Sequence, residues 1–115
     1  MTEQHRWEAL SPNGVTALFA GFDAPWWIAG GWAIDLFLGR QTREHGDIDL
    51  AMLRSDQDRL ARYLADWDVH VAHDGVLTPW AAGDWLASPR HQFWVRPRPD
   101  AGWAFEVLLE DHIGD

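Results

Sequence analysis

Asp47 and Asp49 flank Ile48 in the run Asp47-Ile48-Asp49-Leu50, a spacing at which a strand presents two carboxylates on one face and two apolar side chains on the other. Neighbouring carboxylates repel unless a cation lies between them. Magnesium suits that place, because it takes hard oxygen ligands, accepts one or two carboxylates and completes its octahedron with water and substrate phosphates. Upstream, Gly30 and Gly31 supply the matching half. Without a Cβ the backbone turns sharply and lets phosphate oxygens approach, and amides at the start of a following helix face the anion. The chemistry implied is metal-assisted transfer at a nucleotide phosphate.

The elements that must hold these groups can be read around them. Trp26-Trp27-Ile28-Ala29 reads as a short buried strand running into the glycines. Asp47 follows Gly31 by 16 positions, room for one short helix, Trp32 to Leu38, and a polar connector, Gly39 to Gly46. Double glycines mark many turns and an Asp-x-Asp lies on many solvated strands, so it is the order and spacing of the two that select this chemistry. Within the connector, Arg43 is a candidate for the triphosphate, since a guanidinium grips phosphate bidentately; its alternative is a surface salt bridge. His45 is either a group that orients a phosphate or hydroxyl, or a solvated histidine in a polar turn. Asp35 is expected to brace Arg40 or Arg43 rather than to bind metal.

The stretch from Gly30-Gly31-Trp32-Ala33-Ile34-Asp35-Leu36-Phe37-Leu38-Gly39-Arg40 through Thr42-Arg43-Glu44-His45 to Asp47-Ile48-Asp49-Leu50 resembles the aminoglycoside 2''-adenylyltransferase and lincosamide nucleotidyltransferase group. That group belongs to the DNA polymerase beta-like nucleotidyltransferase superfamily. The likeness is densest from Trp26 to Leu53 and looser beyond. It implies a nucleotidyltransferase fold, ATP as substrate, and a nucleotide site at Gly30, Gly31, Trp32 and Arg43. Trp32 stands where many superfamily members carry serine, as is common in the antibiotic-modifying subgroup.

The superfamily also needs a third carboxylate from a neighbouring strand, and Ala104 to Glu110 offers Glu106 as first choice and Glu110 as second. The two share one strand face, opposite Phe105, Val107 and Leu109. A glutamate in so apolar a strand needs a partner, which a metal supplies. The resemblance thus makes Asp47, Asp49 and Glu106 both metal ligands and catalytic groups, holding two magnesium ions about 3.5 to 4 Å apart. They would align an acceptor hydroxyl with the α-phosphorus and stabilise departing pyrophosphate, with Glu106 the candidate base.

AMP transfer to a small, aminoglycoside-like hydroxyl compound is the expected reaction. Two alternatives stay open: a minimal nucleotidyltransferase that modifies a protein partner, as related antitoxins do, and an inactive nucleotide-binding module. Relatives usually continue into a helical C-terminal region that helps to form the acceptor pocket, whereas this chain stops at Asp115. A truncated chain, a natural short form, or a homodimer in which a second copy completes the site is therefore expected.

With 115 residues, the chain is expected to make one domain with a modest core. The net charge of -9 argues against nonspecific nucleic-acid binding and suits a cationic acceptor. Cysteine is absent, which removes disulfides and thiolate zinc sites and agrees with a cytoplasmic setting. No apolar run has the length of a membrane span or the pattern of a signal peptide.

The remaining elements are scaffold. Ser11-Pro12 opens a helix whose Val15, Leu18, Phe19 and Phe22 repeat at helical spacing. Ser55, with Asp58 three positions on, is expected to start another, with Leu60, Tyr63, Leu64 and Trp67 as its buried stripe. Val69 to His73 reads as a strand, Gly75 to Ser88 as irregular or short hairpin structure, and His91 to Val95 with Trp103 to Glu110 as an antiparallel pair. Most of the nine tryptophans are expected in the core. The fold class is α+β, a small mixed sheet backed by helices. Met1 to His5 is expected to fray.

Overall fold

The structure, a computed structural model, describes residues 6–81 and 83–112; the expectation for Met1 to His5 falls outside them. Helix α1 (Pro12–Leu18) is followed by strand β1 (Trp26–Ala29), helix α2 (Gly30–Leu38), strand β2 (Asp49–Leu53), helix α3 (Gln57–Tyr63) and strands β3 (Asp68–His73), β4 (Val76–Pro79), β5 (Gln92–Arg96) and β6 (Phe105–Glu110). The strands form one sheet in the order β1-β2-β6-β5-β3-β4. Among the described strand pairs β2–β6 is parallel and the other four are antiparallel, so the sheet is mixed, as expected.

Alternation along the strands divides the sheet into two faces. Leu50 and Met52 of β2, Phe105, Val107 and Leu109 of β6, Phe93 and Val95 of β5, and Val69 and Val71 of β3 point into one core with Val15, Phe19, Leu60 and Leu64 from the helical side. Ser11 caps α1 as its type dictates, its hydroxyl accepting from the Gly14 amide at 3.0 Å, with Pro12 in the first turn. The Ser55 cap does not form. Residues 54–56 make a 3-10 turn, α3 begins at Gln57, and no side chain caps it.

Gln57 carries a structural role that the sequence did not announce. Fully buried, it accepts from the Leu86 amide at 2.7 Å and donates to the Leu86 carbonyl at 3.0 Å, and with Arg54, whose Nη1 donates to the Leu86 and Arg90 carbonyls, it ties the segment around Leu86 to the helix layer. The expected irregular stretch after Gly75 contains β4, joined to β3 by Asp74 and Gly75, both at positive φ, the conformation of a tight hairpin turn. Of the tryptophans, Trp103 is 1% exposed and Trp26, Trp32, Trp67 and Trp80 pack against the core, while Trp85 is 54% exposed. Helix α2 leaves Ile34, Leu36, Phe37 and Leu38 exposed, Phe37 to 89%. Among the described residues no helix is long and apolar enough to cross a membrane.

Candidate functional site

Strand β1 ends at Ala29, and Gly30, at φ +66°, reverses the chain directly into α2. The helix starts two residues earlier than the Trp32 expected, so both glycines belong to its first turn. In β1 and β2, antiparallel neighbours, Ala29 pairs with Asp49, which brings the turn against the first carboxylate on β2. A Cβ on Gly30 would collide with Asp49 Oδ2 and stand 3.3 Å from its Cγ. Glycine at this place therefore does two things: it supplies the left-handed backbone and vacates the volume that the aspartate fills.

Asp49 faces away from the core, on the side opposite Leu50, and its parallel register partner on β6 is Glu106. The backbone fixes this pairing, with the Glu106 amide donating to Ile48 carbonyl at 2.9 Å. Asp47 is exposed and lies just ahead of β2 rather than inside it, a correction to the expected strand over Asp47 to Leu50; Ile48 is still buried, and the alternation holds. One ligand atom from each of Asp47, Asp49 and Glu106 lies within 4.8 Å of the other two. Glu110, the second choice, sits at the exposed strand end and is outside this cluster.

The cluster is electrostatically costly without a cation. Glu106 is only 8% exposed, and burial, a hydrogen bond with Asp49 and the charges of Asp49 and Asp47 push its carboxyl up to about 9, against the opposing bond donated by Gln92 Nε2 at 3.0 Å. Oδ1 of Asp49 is buried and has no hydrogen-bond partner among the described residues. A buried, partnerless acceptor beside two more carboxylates is a donor set that fits a hard divalent cation such as magnesium. Gln92 was missed from sequence. Only the register of β5 on β6, Gln92 opposite Leu108 and Trp94 opposite Glu106, puts its amide next to the carboxylate.

The connector between α2 and β2 folds back onto the helix. Asp35, 2% exposed, accepts from Thr42 hydroxyl at 2.5 Å, from Thr42 amide at 3.0 Å, and bonds His45 Nε2 at 2.6 Å. The hydrogen bonds from His45 and Thr42 hold its carboxyl down at about 2. Asp35 thus braces His45 and Thr42, not Arg40 or Arg43. Its helical position made it a bracing residue in the sequence, while the identity of the braced group depended on how the connector closes. The Arg43 guanidinium and the His45 ring both lie over Gly31, where a Cβ would collide with Arg43 Nη2 and come within 2.9 Å of His45 Cε1. Among the described residues Arg43 has no carboxylate partner; its Nη1 donates to the Glu44 carbonyl at 3.0 Å. Trp32 stacks on His45, ring centroids 4.3 Å apart and tilted by 34°.

A mixed sheet with helices packed on it, and with a glycine turn set against carboxylates on adjacent strands, is an α+β fold of nucleotidyltransferase type. The sequence profile described as aminoglycoside-2''-adenylyltransferase matches residues 13–79, more than half of the chain, and the protein belongs to that family. Within it, 26 residues are 73% identical to a 2''-aminoglycoside nucleotidyltransferase of Escherichia coli, covering 23% of this chain and 15% of that protein, and the same figures hold for one of Klebsiella pneumoniae. A lincosamide resistance protein of Staphylococcus haemolyticus is 35% identical over 52 residues, 45% of this chain and 32% of that protein. The chain therefore spans less than a third of the length of each of these relatives in the matched stretches. No solved structure matches it. Gly30, Gly31, Asp35, Arg43, His45, Asp47 and Asp49 all fall inside the family match; Glu106 lies beyond it.

Proposed function

We propose that the protein is a magnesium-dependent nucleotidyltransferase that moves AMP from ATP to a hydroxyl of a small, cationic, aminoglycoside-like molecule. The observation that carries this reading is the cluster of Asp47, Asp49 and Glu106, with ligand atoms within 4.8 Å of one another beside the turn at Gly30. Membership of the family and the names of its relatives support the antibiotic-modifying branch. The net charge of -9 supports a cationic acceptor.

In this reading the three carboxylates hold the metal, which when bound neutralises phosphate charge and orients the α-phosphoryl group. Gly30, Gly31 and Trp32 at the start of α2 bind the phosphate tail through backbone amides, and Arg43 adds a guanidinium to it. Gln92 orients Glu106 by the bond it donates to Oε1. Glu106, once ionised, is the group able to accept the proton of the attacking hydroxyl as the new P–O bond forms and pyrophosphate leaves. We also take residues 1–115 as one nucleotidyltransferase-like domain acting in the cytoplasm, with a second copy of the chain as its candidate partner.

The test is transfer of label from α-labelled ATP to kanamycin in the presence of magnesium, with pyrophosphate release followed in parallel. Labelled kanamycin in the wild type and none in Asp49→Asn supports the reading. Label on polypeptide alone, or equal labelling by Asp49→Asn, overturns it.

A further inference from the structure

We propose that a hollow two strands away from Glu106 is the subsite for a second ring of a multi-ring amino-sugar acceptor. One ring presents its hydroxyl at Glu106 while the next sits against Trp94, with an ammonium at Asp74. The inference rests on the nucleotidyltransferase reading and adds to it the residues that hold the far part of the acceptor.

Strand register sets out the face of the sheet opposite the core in rows. Asp49 pairs with Glu106, Glu106 with Trp94 and Trp94 with His70, so these four make one row across β2, β6, β5 and β3. Beside it Ala51 pairs with Leu108 and Leu108 with Gln92, while Ala72 of β3 pairs with Leu77 of β4. Gln92 is two residues before Trp94 and Ala72 two residues after His70 on an antiparallel neighbour, which sets Ala72 beside Gln92 on the same face. An acidic and aromatic row is thus flanked by one that is apolar except for Gln92.

At the β3–β4 end of the second row lies a hollow of about 150 Å³, lined by Ala72, Leu77, Gln92, Trp94 and the turn from His73 to Val76. It is smaller than the roughly 300 Å³ at which pockets begin to enclose a whole drug-sized ligand, and so takes one ring of a larger molecule. Strands are spaced by about 4.8 Å, which sets β3 roughly 10 Å from Glu106 on β6, within reach of two linked rings. Gln92 joins the two places: it lines the hollow, and its Nε2 donates to Glu106 Oε1 at 3.0 Å.

The walls select the class of ring. Trp94 is held by Trp7 and Trp103, at ring-centroid distances of 5.0 and 5.6 Å, and offers a fixed indole to the C–H surface of a saturated ring. At the outer rim stands Asp74, its side chain 87% exposed. It meets the His73 ring, Nε2 at 3.4 Å, and pairs with no arginine among the described residues. An apolar hollow with a carboxylate at its rim suits a ring that carries an ammonium, rather than a phosphate or an uncharged sugar.

The experiment compares kcat/KM for label transfer from α-labelled ATP to kanamycin, a multi-ring amino sugar, and to glucosamine, a single ring. The wild type prefers kanamycin at least tenfold. Ala72→Leu fills the hollow from its floor without touching the carboxylates. It is expected to lower kcat/KM for kanamycin at least tenfold, with glucosamine transfer and magnesium-dependent nucleotide affinity within twofold of wild type. Asp74→Asn keeps a residue type that tolerates the positive φ of the turn. It raises KM for kanamycin three- to tenfold with kcat within twofold, and serves should Ala72→Leu not fold. Transfer that requires magnesium and Asp49 but treats the two acceptors alike overturns the inference and leaves the nucleotidyltransferase reading standing, as does a folded Ala72→Leu with full preference for kanamycin. An Asp74→Asn variant with unchanged KM overturns it too. Equal losses for both acceptors in Ala72→Leu would mean a disturbed sheet in place of a subsite, and also overturn it. A wild type that labels neither acceptor overturns the inference and the reading together.

Discussion

Replacing Gly30 by alanine separates the two roles that the turn plays. Its φ of +66° is open to glycine and costs an L-residue roughly 1 to 2 kcal/mol, partly offset by about 0.4 to 1 kcal/mol from the stiffer unfolded chain. Gly39, at φ +78°, carries the same backbone penalty, yet a Cβ there meets nothing within 4 Å. Both alanine variants should therefore lose stability by about 1 kcal/mol, roughly 3 to 6 °C in melting temperature for a domain of this size. Only Gly30→Ala should lose the site. The new methyl collides with Asp49 Oδ2 and stands 3.3 Å from its Cγ, so turning the carboxylate does not relieve it; the whole side chain must leave the space it shares with Asp47 and Glu106. A loss of at least tenfold in magnesium-dependent nucleotide affinity, about 1.4 kcal/mol, is expected for Gly30→Ala and less than twofold for Gly39→Ala, with melting curves and titration calorimetry run on the same preparations. Equal nucleotide affinity in the two variants would refute the link between the turn and Asp49.

Glu106 should give the metal-free protein a pH signature. Because its carboxyl is held up at about 9, against an ordinary 4.5, the native state keeps a proton that the unfolded chain releases. The stability from this group is present in full below about pH 4.5 and is lost as pH climbs toward 9; urea midpoints of the wild type should fall across that window relative to Glu106→Gln, and magnesium should flatten the difference. A wild type and variant that track each other in parallel would count against the shift. Gln57→Ala should cost about 1 to 3 kcal/mol in urea unfolding, since it strips the partner from the buried Leu86 amide, while nucleotide affinity stays within twofold of wild type; a variant as stable as wild type would mean that the 80–90 loop is held by other contacts.

Much of this architecture was legible because local pattern and tertiary need agreed. The Ser11-Pro12 start, the alternation of Phe105, Val107 and Leu109, and the glycines after Ala29 each specify one backbone state and one buried face, and the sheet uses them so. The cluster was legible to the extent that alternation could place side chains: Glu106 was preferred to Glu110 on its apolar surroundings, and register with Asp49 agrees. What escaped depended on distant partners. Gln92 reaches Glu106 through a strand register that no local signal encodes, and Asp35 meets His45 because the connector closes back on α2, where spacing alone favoured an arginine. Ser55 failed as a cap because the chain tightens into a 3-10 turn before α3, a choice that packing of Gln57 under the loop makes favourable.

The most direct measurement is isothermal titration of the protein with α,β-methylene-ATP, with and without magnesium, beside the Asp47→Ala/Asp49→Ala variant. The account predicts binding that requires both the metal and the two aspartates. Nucleotide affinity that survives in the double variant, or that is the same without magnesium, would contradict it.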